Sequence, residues 1–356
     1  RVRGGSTHRS AECRQPRCFA WPAPAGRKEK DPAVHEAEAA PDTPSFAQRP
    51  AATKFLMMQR WALLRQEARF QQLRWEAERI LQREPGFEIA AAVLSNLPQQ
   101  VSQPRSRVVV ASLFAGSEFA QTMLPARRNH ERWCALHGYT YACLEENIAG
   151  RADPTWSKLP HVLELLKKGA EFVFWMDADS LFISDGVDLQ WACDLGKDFV
   201  FAGDLNVVFN AGHFLARRGA WAERFLSDAF RIHPWPDWED NGAMMILLGG
   251  GSADEPSTWR TAFERMKVPT RSPGECHRAM TQLLPHSVAE HVQVVPQHLL
   301  NAYEWPRGGG DLSLLRGDPI LHFAGCSAEQ KTQLIAKFAP CTGDPLLLLH
   351  AKSLPA

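Results

Sequence analysis

The stretch EFVFWMDADSLFIS, residues 171–184, sets two carboxylates, Asp177 and Asp179, at the end of a run of bulky apolar side chains. Two acids crowded together at the edge of a core repel each other and lose solvation, and a divalent cation removes both penalties. Hard oxygen ligands of this kind suit Mn2+ or Mg2+. Residues two apart on an extended strand point the same way, so both acids face one ligand if the extended geometry continues through them. The competing structural reading is that the acids cap the turn that follows, through side-chain hydrogen bonds to the backbone.

The elements that must position these acids can be read from the surrounding pattern. A central parallel strand is buried on both faces and reads as an unbroken apolar run, which FVFWM is. Upstream, RVVVASL (107–113) and YTYACLEE (139–146) read as strands, and KLPHVLELLKKG (158–169) as a helix with Gly169 just past its end. Downstream, DFVFAGD (198–204), AGHFLAR (211–217), HVQVVPQ (291–297) and DPILHFAG (318–325) continue the strand set, separated by helical stretches near 220–231 and 240–248. Such alternation predicts an α/β sheet, mostly parallel in its first half, with ligands beyond the carboxyl ends of the strands. At those ends stand Ser112, after the first strand, and His322, where an imidazole offers a third metal ligand. Gly325 allows a close backbone approach three residues later.

Forty basic residues balance forty acidic ones, so no global field favours nucleic acid or an anionic membrane. The eight cysteines show no zinc-finger spacing, and no apolar run approaches the roughly 20 residues of a membrane-spanning helix. Residues 1–53, rich in Pro, Arg and Ala, read as a disordered tail. Residues 54–100 read as a helical stem, because Leu63, Phe70, Leu73, Ala77 and Ile80 form one sticky stripe over the 54–84 helix. That stripe serves either docking onto the domain that follows or an oligomer through a short coiled coil. Residues 101–356 form the remaining domain.

Taken in order, WSKLPHVLELL, FWMDADSLF, FNAGHFLARRGAW, EDNGAMMILL, VVPQHLLNAYEW and HFAGC resemble glycosyltransferase family 34, over about residues 105–345. The resemblance implies a GT-A nucleotide-sugar-binding fold, a nucleotide-sugar donor, a glycan acceptor, Mn2+ (or Mg2+) and transfer with retention of configuration. It matches Asp177, Asp179 and His322 to the metal ligands. Lys158 would add positive charge near the phosphates, although a lysine opening a helix is as readily solvated. Asn210 and Gly212 fall in the segment that approaches the donor sugar. Asp240 and Asn241 fall near the reacting anomeric carbon, where this chain has Asn for the usual Gln; Asp240 also fits a helix N-cap. Past HFAGC the usual second cysteine is missing, and Lys331 is a candidate pyrophosphate contact. A Golgi or other secretory lumen is implied, for a type II membrane protein whose anchor lies outside this chain.

Two rival functions stand beside this one. An apolar strand followed by DADSL also resembles the D-x-D-x-T start of haloacid-dehalogenase-like phosphotransferases, with Asp177 as nucleophile. No later apolar strand ends in the acidic pair that such an enzyme needs. A catalytically inactive, sugar-binding relative is the second rival, suggested by Asn241.

Overall fold

The computed structural model describes residues 51–66, 69–83, 85–97, 106–204, 209–235, 237–267, 278, 281–303 and 317–353. The expected tail, up to residue 50, lies outside them, and all of them fall within one compact unit, Pro44–Ala356.

The sheet expected from the apolar runs is present. Strands β1 (Val108–Leu113), β2 (Thr140–Leu144), β3 (Phe172–Met176), β5 (Phe199–Ala202), β6 (His213–Arg217) and β7 (Val292–Val295) form a six-stranded sheet in the order β2-β1-β3-β6-β5-β7. β1 pairs in parallel with β2 and β3, and β5 with β7, while β6 runs antiparallel to both its neighbours. The class is therefore α/β with a mixed, mostly parallel sheet flanked by helices. All five residues of β3 are buried, as its unbroken apolar run requires.

Alternation along the strands divides the core in two. Val173 and Trp175 of β3 join Ala111, Phe201 and Phe214 under the helices Lys158–Lys167, Ala220–Arg231 and Glu239–Leu248. Phe172, Phe174 and Met176 face the other way, toward Trp133, Leu189 and Leu300.

A second, two-stranded sheet does not follow from the apolar pattern. β4 (Ser180–Phe182) was readable only as part of the turn after the acids, yet it pairs antiparallel with β8 (Ile320–His322), placing Ser180 opposite His322. The last strand thus leaves the main sheet to form this ribbon.

The 54–84 segment is not one helix. Helices Ala51–Gln66 and Phe70–Arg83 are followed by a third, Glu88–Ser95. Leu73, Ala77 and Ile80 are buried in a cluster with Leu181, Leu321, Ile335 and Leu348 from the rest of the chain. Docking, rather than a free coiled-coil seam, consumes the apolar stripe. The segment expected as a stem packs as part of the same unit, because each short helix buries its stripe only against the domain.

Candidate active site

β3 ends at Met176, and from there the chain turns rather than staying extended. Asp177 keeps a backbone hydrogen bond to the Gly212 carbonyl, and residues 178 and 179 form a turn leading into β4. The two carboxylates therefore converge through a turn, not through strand alternation. The β4–β8 ribbon then brings in the third group. With Ser180 opposite His322, and the Phe323 N–H donating to the Asp179 carbonyl at 3.0 Å, the imidazole lands beside the acids. One ligand atom from each of Asp177, Asp179 and His322 lies within 4.8 Å of the other two. Ligands at about 2.1 Å from a common ion lie up to about 4.2 Å apart, so two carboxylates and an imidazole within 4.8 Å need only a small inward movement to share a small divalent cation.

The acids are held from several sides. Trp175 Nε1 donates to Asp177 Oδ1 at 2.6 Å. His322 Nε2 is 3.3 Å from Asp179 Oδ1, and Lys331 Nζ is 2.8 Å from Asp179 Oδ2. Burial by itself would raise the Asp179 pKa, but the imidazole and the ammonium outweigh it and hold the carboxyl well below the usual range. Lys331 lies in the helix Ala328–Phe338, which opens with a capping box between Ser327 and Gln330.

Lys158 is buried, not the solvated helix-start lysine that sequence allowed. Its Nζ meets the Ala211 carbonyl at 2.9 Å, Asp240 Oδ2 at 2.9 Å and Asp177 Oδ1 at 3.3 Å. The ammonium thus donates to one carbonyl and stands at ion-pair distance from two carboxylates. Burial opposes its charge, yet Asp177 and Asp240 more than offset that and raise its pKa. Asp240 is not an N-cap: it sits in the first turn of Glu239–Leu248, whose cap position is Trp238. Burial raises the Asp240 pKa, with Lys158 opposing.

The 210–212 turn fits around these groups. Asn210 Oδ1 accepts from the Gly212 N–H, and Asn241 Oδ1 from the Ala211 N–H, both at 2.7 Å. The amide of Asn241 is thus occupied in pinning this turn. A Cβ on Gly212 would stand 2.4 Å from His322 Cε1 and 3.1 Å from Asp177 Oδ2. Gly212 is explained first by the approach of the His322 ring.

A cleft of about 480 Å³ opens over the acids, lined by Asp177, Asp179, Lys158 and Lys331 and by apolar Leu113, Ala115 and Phe119. Ser112 does not line it. Along β1 the alternation turns Ser112 inward, fully buried, where Oγ lies 3.2 Å from His130 Nδ1, while Leu113 takes the cleft side. Gly325 adopts a left-handed backbone at φ 71, in a turn past β8, and is not among the cleft-lining residues. Sequence reasoning missed Trp175 as a partner of Asp177. It also missed Asn301, whose Oδ1 lies 2.6 Å from His322 Nδ1. A lone Trp in a strand and a lone Asn after a helix carry no local signal for either contact.

The model of the galactosyl transferase GMA12/MNN10 family matches residues 103–192, from ahead of β1 to beyond β4. The probable alpha-1,2-galactosyltransferase gmh1 of Schizosaccharomyces pombe is 22% identical over 251 residues, 65% of this chain and 73% of that protein. Xyloglucan 6-xylosyltransferase 2 of Arabidopsis thaliana is 32% identical over 114 residues, 28% of this chain and 24% of that protein. Among solved structures, a glycosyltransferase involved in the glycosylation of the major capsid of PBCV-1 aligns at TM-score 0.43 and 11% identity, covering 65% of this chain and 98% of that one. The chain is thus similar to galactosyltransferases and xylosyltransferases, and the match to the family model is confined to residues 103–192.

Proposed function

We propose that this chain moves a hexose or pentose from a nucleotide-sugar to a glycan acceptor, with retention of configuration and dependence on Mn2+ or Mg2+. The observation that carries the reading is the convergence of His322 on Asp177 and Asp179, the two acids that line the cleft. The printed names of the relatives, galactosyl- and xylosyltransferases, support the sugar class.

A cation held by these three residues would supply Lewis-acid stabilisation to a departing diphosphate. The chain's own groups do the rest. Lys331, partly exposed at the rim, adds a positive charge that a phosphate oxygen can share with Asp179. Leu113, Ala115 and Phe119 give the cleft an apolar wall suited to a nucleobase. Lys158 ties Asp177, Asp240 and the Ala211 carbonyl together rather than contacting the phosphates itself. Asp240 and Asn241, at the start of one helix, act through their contacts, Asp240 on Lys158 and Asn241 on the 210–212 turn. A secretory lumen fits such an activity; among the described residues no helix is long and apolar enough to cross a membrane.

Incubation with Mn2+ and a panel of nucleotide-sugars tests the proposal. Slow donor hydrolysis that releases nucleoside diphosphate, lost in Asp179→Ala, is the expected result. A phospho-enzyme on Asp177 would establish the phosphotransferase alternative instead, and donor binding without any turnover would establish the inactive relative.

A further inference from the structure

The metal reading leaves one question about His322: which ring nitrogen carries the proton. Only a nitrogen with a free lone pair can ligate, and His322 Nε2 is the one beside Asp179. The hydrogen bonds behind the ring answer the question without reference to a metal.

Two backbone groups have fixed polarity. The Gly212 N–H donates to Asn210 Oδ1, so Asn210 Nδ2 is the end facing Asp204 Oδ2 at 2.8 Å and the Tyr303 hydroxyl at 3.2 Å. A carboxylate accepts only, so that direction is consistent. Tyr303 also bonds Asp204, and a phenol facing a carboxylate must donate its single proton there. The Tyr303 oxygen is left to accept. Asn301 lies 3.0 Å from that oxygen and 3.5 Å from the Gly203 carbonyl, two acceptors, so this end of its amide is Nδ2. Its Oδ1 then faces His322 Nδ1 at 2.6 Å, and Nδ1 must carry the hydrogen. The same amide cannot be flipped without setting an oxygen against the Gly203 carbonyl.

We infer that Asn301, oriented by Tyr303, Asp204 and the Gly203 carbonyl, is a positioning residue that holds His322 in its Nδ1–H tautomer and aims the Nε2 lone pair at the Asp177–Asp179 locus. Asn301 is fully enclosed, at 1% exposure, and the His322 ring is confined further by the edge-on ring of His213, with centroids 4.7 Å apart. The Nδ1–H bond to Asn301 is a property of the metal-free protein, in which Nε2 faces the Asp179 carboxylate; the use of the Nε2 lone pair rests on the metal reading.

The test has two arms. In metal-free protein labelled with 15N at histidine, and assigned with His322→Ala, the His322 resonances should show Nδ1 protonated. Asn301→Leu, which removes the acceptor, should shift the ring away from Nδ1–H. In the second arm Mn2+ is titrated by electron paramagnetic resonance. Asn301→Leu should weaken binding by roughly 10–100-fold, with turnover recovering at high Mn2+. A wild-type Nε2–H tautomer overturns the inference, as does an unchanged Mn2+ affinity in Asn301→Leu that still melts cooperatively. If wild-type protein binds no Mn2+, the metal reading fails while the tautomer is still decided by the first arm.

Discussion

Two buried charge networks in this molecule look alike and behave differently. In the N-terminal hairpin, Arg60 makes a forked contact with Glu76, at 3.0 and 2.6 Å, and Trp61 and Gln72 donate to the same carboxylate. Gln72 and Arg69 continue to the Gly317 carbonyl, and Arg69 Nη1 lies 3.9 Å from Asp318. Here two guanidinium groups meet two carboxylates, and the Arg60 and Glu76 side chains are 2% and 0% exposed. At the cleft, three carboxylates, Asp177, Asp179 and Asp240, face two ammonium groups, Lys158 and Lys331, and the Asp177 side chain is 30% exposed. The first network is matched and sealed. The second is one positive charge short and open, which is what a site for a cation and a diphosphate needs and what a structural lock avoids.

If that contrast is right, the two networks should break in different ways. The largest effect is expected for Asp179→Ala. It should abolish Mn2+-dependent donor binding by calorimetry and, because His322 and Lys331 stabilise the Asp179 carboxylate, lower the urea midpoint by less than the loss of a matched partner does; a larger fall would make the cleft network a lock after all. Glu76→Gln should do the reverse. It leaves Arg60 buried without its counter-charge, a loss of about 3–5 kcal/mol in chemical denaturation, and Mn2+ affinity of the protein that remains folded should stay within about twofold, since the mutated carboxylate belongs to the matched set.

A pH series sharpens the comparison next. His130 is wholly buried between Ser112 and the Ser180 carbonyl, and burial lowers its pKa from 6.5 to about 4. Between those values the unfolded chain binds a proton that the folded chain does not, so stability is lost as pH falls from about 6.5 to 4, by up to about 3 kcal/mol. His130→Gln should flatten that slope in urea titrations. Asp179, held below the usual carboxylate pKa, contributes in the same direction but lower: its share is present above about pH 4 and fades as the solution becomes more acidic. Asp179→Ala should therefore remove only the most acidic part of the curve. The smallest effect is expected for Gly212→Ala. The added methyl group must displace the His322 ring, costing about 1–3 kcal/mol and weakening Mn2+ binding, while a variant with wild-type affinity would show that the ring has room to move.

How much of this was readable in the sequence differs by element. β1, β2, β3, β5, β6 and β7 all follow from apolar runs, since a buried strand must be continuously hydrophobic whatever its neighbours are. β4 did not, because three residues after a turn carry no period. The helix over 54–84 was expected as one piece, and the break before Phe70 has no Gly or Pro to announce it. At the site, the residue types of Asp177, Asp179 and His322 could be picked out, and their family resemblance joined them. Lys158 was open to two readings until its three acceptors were in place. Ser112 was misplaced because a strand-end position says nothing about which face the side chain takes.

Composition and local pattern by themselves settled the class of fold, the strand that carries the acids and the chemical hardness of the ligands those acids would favour, because each depends on residue type and short-range spacing. Tertiary structure alone decided that β8 leaves the main sheet to pair with β4, that His322 thereby meets Asp179, and that Asn301 selects its tautomer. These are contacts between segments far apart in the chain. Their geometry is set by strand register and by the direction of hydrogen bonds, neither of which a linear order of side chains contains.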